Sequence, residues 1–158
     1  SRTRIYVSKA ILSSSASAAI YLLFELVALL GSGRIGAMPA NGYVMVVVCG
    51  FAIYAALGSV ICLFSMLIRN STSSTIMCLC YVLFGETVVS VVRNLSSAPA
   101  SIGRLVELAI RHSIYGMSTI VSTLSVSAYM AAGIVASSTI IMLASTNIGS
   151  IIFRRYEL

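Results

Sequence analysis

Charge is scarce in this sequence. Charged side chains make up 9% of it, against about 25% in soluble domains. Aspartate is absent, and the four acids are all glutamate, against ten basic residues and a net charge of +6. With 59% hydrophobic residues and a mean hydropathy of +1.03, the chain cannot cover a soluble surface with polar groups. In a soluble domain the basic excess would suggest nucleic acid. Here the basic residues fall between apolar runs, so they read as topology signals, and nucleic acid is not an expected partner. The expected surroundings are a lipid bilayer.

Chemistry-bearing motifs are equally sparse. No G-x-x-x-x-G-K-[ST] occurs, so the chain does not bind ATP by a P-loop. There is no H-E-x-x-H and only one histidine, His112. The glycines Gly31, Gly33 and Gly36 match G-x-G-x-x-G, but an apolar helix precedes them where a strand is required, so they read as an inter-helix turn. Cys49, Cys62, Cys78 and Cys80 all lie inside apolar runs. Cys78 and Cys80 are about 200° apart on a helix and share no face, so a metal pair is not expected and the cysteines read as buried small hydrophobes. No catalytic residue and no metal ligand is assigned.

What the sequence does have is long apolar runs. Crossing the hydrocarbon core takes about 20 apolar residues as helix. Four such spans are expected, at about 10–30, 43–68, 71–92 and 126–153. Between the third and fourth, Ile102, Leu105, Val106, Ala109 and Ile110 recur at helical spacing, with Arg104, Glu107 and Arg111 opposite. That pattern predicts an amphipathic helix over 99–112 lying in the interface. The charge-free stretch from Ser113 to Phe153 is too long for one span. Its Ser- and Thr-rich start predicts a polar re-entry segment before the last span, with a short fifth span as the alternative. The expected fold is therefore an all-α polytopic transmembrane bundle forming a single domain over 1–158.

Four spans place both chain ends on one side. That side carries Arg2, Arg4, Lys9, Arg69, Arg154 and Arg155. The other carries Arg34, Arg93, Arg104 and Arg111. The positive-inside rule then makes both ends cytoplasmic at the cell membrane. Glu25 and Glu86 are the acids inside expected spans. A carboxylate in hydrocarbon costs on the order of 3 kcal/mol, so each is a candidate for a transport path. The alternative is snorkelling, since both lie near the non-cytoplasmic end of their helices. The last span also carries small-residue rows: Ala128, Ala132, Ala136 and Ala144, and beside them Gly133, Ser137, Ser145 and Gly149. These suit close packing, either within the chain or against another subunit.

Two terminal stretches carry a family resemblance. Ser1-Arg2-Thr3-Arg4-Ile5-Tyr6-Val7-Ser8-Lys9 resembles the basic lead-in to the third transmembrane helix of ABC-2-type transporter permeases. Ile148-Gly149-Ser150-Ile151-Ile152-Phe153-Arg154-Arg155-Tyr156-Glu157-Leu158 resembles that family's tail, with Tyr156-Glu157 where an aspartate is more usual. The resemblance implies the C-terminal two-thirds of a six-span permease, with two spans and a cytoplasmic coupling segment expected before Ser1. It also implies an exporter of peptides, antibiotics or lipids, a separate ATP-binding subunit holding ATP and magnesium, and a second permease subunit, the same or homologous. The chain itself would hold no cofactor and would not be an enzyme. Arg69, Arg154 and Arg155 are the expected contacts to the ATP-binding partner. Two other readings stand beside this one: a four-helix proton-coupled exporter using Glu25 or Glu86, and a non-transporting membrane assembly subunit.

Overall fold

A computed structural model describes residues 2–32, 40–68, 70–95, 100–122 and 126–155. Six helices follow one another: α1 (Arg2–Ser32), α2 (Ala40–Leu67), α3 (Ser71–Leu95), α4 (Ala100–Arg111), α5 (Ile114–Ser122) and α6 (Ala128–Arg155). No strand occurs among the described residues. Four helices are long and apolar enough to span a bilayer, over Thr3–Ala28, Gly42–Leu67, Ser71–Val92 and Ala128–Arg154. The protein is thus an all-α membrane protein with four candidate spans.

The first helix starts earlier than its apolar run. The backbone coils from Arg2, so Arg4 and Lys9 lie on the helix itself. Nothing in a helix excludes basic residues from its first turns, and their long stems let the charged ends reach water. The helix starts are set by local hydrogen bonds. Asn70 Oδ1 accepts from the Thr72 backbone N–H at 3.0 Å and caps α3. Ser113 Oγ accepts from Gly116 N–H at 3.1 Å and caps α5. Ser127 Oγ accepts from Met130 N–H at 3.3 Å ahead of α6.

The helix α2 is the axis, packed against α1 on one side and α6 on another. On α1 the row Tyr6, Ala10, Ser14, Ala18 is buried at a spacing of four, which lines one face of the helix. Small residues there let the backbones close up. A side chain at Gly58 would run into the Ser13 carbonyl and the Ser14 Cα of α1, and Ser13 Oγ–H donates to the Gly58 carbonyl at 2.8 Å. Across the α2–α6 contact, Ser145 Oγ–H donates to Ser59 Oγ at 2.8 Å, both residues buried. Ser59 Oγ–H passes the chain on to the Ala56 carbonyl at 2.7 Å. In lipid such pairs act as interhelical glue worth about 0.6 kcal/mol on average, up to about 2. Ser59→Ala and Ser145→Ala are each expected to lower unfolding stability by about 1 kcal/mol. The double variant should cost less than the sum, which a double-mutant cycle in micelles measures.

The small rows of α6 divide between inside and outside. Ser145 and Gly149 are buried within the chain, whereas Ala128, Ala132, Ala136 and Ala144 are all exposed. Of the cysteines, Cys49 and Cys62 are buried, Cys78 is half-buried and Cys80 is exposed. Cys78 leans toward α2, with its Sγ 3.9 Å from the Ile61 carbonyl, as expected of two positions on different faces of one helix.

The segment after α3 forms a helical hairpin rather than a helix and a loose re-entry. α5 has 9 residues, about 14 Å by helical rise, too short for a fifth span. It is wedged between α2, α3 and α6. Ile114, Met117 and Val121 join Val46, Cys49, Ile53 and Ala56 of α2 and Ile134 of α6 in the main buried cluster. The α4–α5 turn lies deep beside the bundle. His112 Nδ1 is 2.8 Å from Ser137 Oγ, well along α6. Tyr115 O–H donates to the Tyr81 carbonyl, midway along α3. The 12 residues of α4 cover about 18 Å, enough to carry the chain in to that level. So α4 is the expected amphipathic helix, but its last turn is tucked in: Ile110 is buried, while Leu105 and Leu108 stay exposed.

Candidate functional site

The membrane-embedded acid with a defined setting is Glu25. It lies on α1 one turn after Tyr21, and the spacing of four brings the two side chains together. Tyr21 O–H donates to Glu25 Oε1 at 2.9 Å. The Tyr21 ring lies across α2 because Gly50 offers no side chain; a Cβ there would collide with the phenol. One turn further along α2, Tyr54 stacks on Tyr21, with ring centroids 4.8 Å apart and planes at 21°. The offset between Gly50 and Tyr54 is again four residues, so one stripe of α2 supplies both the gap and the cover.

Helix α5 completes the site. Tyr21, Glu25, Gly50, Tyr54, Ser118 and Ser122 line a cleft of about 180 Å³. Val46, Ile53 and Val121 form its apolar wall. The α5 wall is fixed from behind. Tyr115 meets Tyr81 edge-on at 5.4 Å, Tyr81 meets Phe64 at 5.3 Å, and Gly85 leaves room for the Tyr115 ring.

The other expected site residues lie elsewhere. Glu86 is exposed on α3, next to Gly85, and does not line the Glu25 cleft. Glu25 and Glu86 therefore do not form one site. Arg154 is exposed in the last turn of α6 and Arg155 ends that helix. Arg69 lies outside the described residues. His112, which the sequence marked only as interfacial, meets Ser137 at the rim of a second, larger cleft of about 460 Å³ lined also by Arg111, Tyr129 and Gly133. Sequence reasoning found Glu25 from its charge. It missed Tyr21, whose spacing of four was the available signal, and it missed Gly50, Tyr54 and Ser118, for which there was none.

The two terminal stretches meet each other. Tyr6, fully buried, stacks on Phe153 with ring centroids 6.2 Å apart and planes at 29°. Gly149 leaves the space that the Tyr6 hydroxyl occupies, and Cys62 of α2 packs on the same ring. The start of α1 and the end of α6 are thereby pinned at one end of the bundle. No family model matches the sequence, and neither a curated protein nor a solved structure is matched by it.

Proposed function

We propose that this chain is the transmembrane permease subunit of an ATP-binding-cassette exporter of the ABC-2 type. The observation that carries the reading is the junction of its two resembling stretches. The residues of the basic lead-in and of the tail include a matched set, Tyr6 against Gly149 and Phe153. A permease driven from the cytoplasm has reason to tie α1 to its last helix at the end where force is applied. The bundle contributes the path, and a separate subunit contributes ATP hydrolysis. Arg154 and Arg155, at the end of α6 beside that junction, and Arg69, between α2 and α3 in the sequence, are the proposed contacts to it. Its ATP-driven closure would push on the cytoplasmic end, and the bundle would reopen outward. The proposed cargo is a peptide, an antibiotic or a lipid. The proposed membrane is the cell membrane, with both chain ends cytoplasmic, and a second permease subunit completes the path.

A second reading, a proton-coupled exporter, is favoured by one observation: Glu25 sits in a cleft, hydrogen-bonded and half-buried. Energy source separates the two. Affinity purification from native membranes is expected to recover a P-loop subunit; its absence counts against the permease reading. Glu86→Gln is expected to keep ATP-driven export within about twofold of wild type, since an exposed acid outside the cleft carries no obligatory proton. Export that continues without ATP but stops when an uncoupler collapses the proton gradient would favour the proton-coupled reading.

A further inference from the structure

The Glu25 cleft has one charged group and an unusual set of walls. Of the described residues lining it, none is lysine, arginine or histidine. Tyr21 satisfies one carboxylate oxygen, and no second hydrogen bond to Glu25 occurs among the described residues. A half-desolvated carboxylate with a spare oxygen is stabilised by a cation. The question is which cation. Calcium and magnesium take about six or more oxygen ligands, and among the described residues the cleft offers a single carboxylate. A small, strongly hydrated monovalent ion gains nothing from Val46, Ile53 and Val121. An alkylammonium ion fits every wall. Its charge is diffuse and weakly hydrated, and its carbon groups need apolar contact. Tyrosine faces attract such ions within about 6 Å of the ring centroid, and the Tyr21–Tyr54 stack, with Tyr54 partly exposed, presents one. The hydroxyls of Ser118 and Ser122 supply polar contacts on the α5 side.

We infer that the Glu25 cleft binds the head of a small alkylammonium ion, with its positive charge on Glu25 and its carbon groups over Tyr54. As a statement of what the exporter carries, this rests on the permease reading; as a binding site, it does not. The head is recognised alike on a free solute and on a tailed amphiphile.

The test is calorimetric titration of the purified full protein, with its co-purifying subunits, in neutral maltoside micelles. Choline is compared with its uncharged isostere, 3,3-dimethyl-1-butanol. Choline is expected to bind at least tenfold more tightly than the isostere. Glu25→Gln and Tyr54→Leu should each weaken choline at least tenfold, while Glu107→Gln, which removes an exposed acid on α4, should leave it unchanged. Circular dichroism melts confirm that each variant is folded, and the isosteric Glu25→Gln carries the test alone if Tyr54→Leu is not. Tighter binding of dodecyltrimethylammonium than of choline, lost equally in Glu25→Gln, assigns the site to amphiphiles; equal binding assigns it to free solutes. Equal affinity for choline and the isostere, or undiminished binding in Glu25→Gln, overturns the inference. ATP-driven export without choline binding would leave the permease reading standing and this inference refuted. Glu25-dependent binding without any ATP-binding partner would do the reverse.

Discussion

Gly58→Leu is expected to unfold or severely destabilise the protein, by about 3 kcal/mol, the upper end of overpacking costs. The position sits where α1 and α2 cross. Any side chain there meets the Ser13 carbonyl and the Ser14 Cα, which are backbone atoms that cannot rotate away. Separating the helices would also break the Ser13 bond to the Gly58 carbonyl and open the buried row of Tyr6, Ala10, Ser14 and Ala18. In lipid no hydrophobic effect pulls helices back together, so close van der Waals packing is the main thing lost. Gly133→Leu is the control. It is the same change on a helix of similar length, at a position with nothing within 4 Å of a new Cβ. Thermal unfolding in micelles checks both; a Gly58→Leu protein as stable as Gly133→Leu would mean that the α1–α2 crossing does not have this geometry.

Gly116→Val is expected to spring the α4–α5 hairpin open. A Cβ at that position would run into the Ile110 carbonyl and crowd the Arg111 Cα, both across the turn. The same turn is closed by Ser113, whose hydroxyl donates to the Ile110 carbonyl at 2.6 Å and accepts from the Gly116 N–H at 3.1 Å. Forcing the two helices apart at the turn removes Ile114, Met117 and Val121 from the main buried cluster. In lipid the loss is of packing contacts, so the expected cost is about 1–3 kcal/mol, the range of overpacking. Hydrogen exchange is the measurement. The amides of α5 should lose protection in Gly116→Val while those of α1 and α2 keep theirs. Tyr115→Phe, which removes only the bond to the Tyr81 carbonyl, should cost about 1 kcal/mol and leave α5 protected. Equal protection of α5 in Gly116→Val and wild type would show that the turn tolerates a side chain.

The sequence alone determined the class and the number of spans, and the reason is composition. A helix that must satisfy its own backbone in lipid needs a continuous apolar run, and such runs stand out against charges as sparse as these. The apolar run from Ser71 to Val92 stands out because Asn70 and Arg93 flank it, and α3 covers it. The start of α1 was placed late, because hydropathy marks the hydrocarbon core and not the end of the helix, and Arg4 and Lys9 lie on the coil beyond it. The amphipathic α4 was legible from its period, and Glu25 from its charge. What only the tertiary structure decided is which faces meet. In lipid both sides of every helix are apolar, so burial leaves no mark on hydropathy, and the distinguishing signal is side-chain size. That signal is ambiguous: Ser145 and Gly149 turn inward while Ala132 and Ala136 of the same helix face out. The cleft depends on such matches across helices. Gly50 has meaning only once Tyr21 lies over it, and Ser118 and Ser122 line the Glu25 cleft only because a glycine at 116 lets α5 fold back into the bundle.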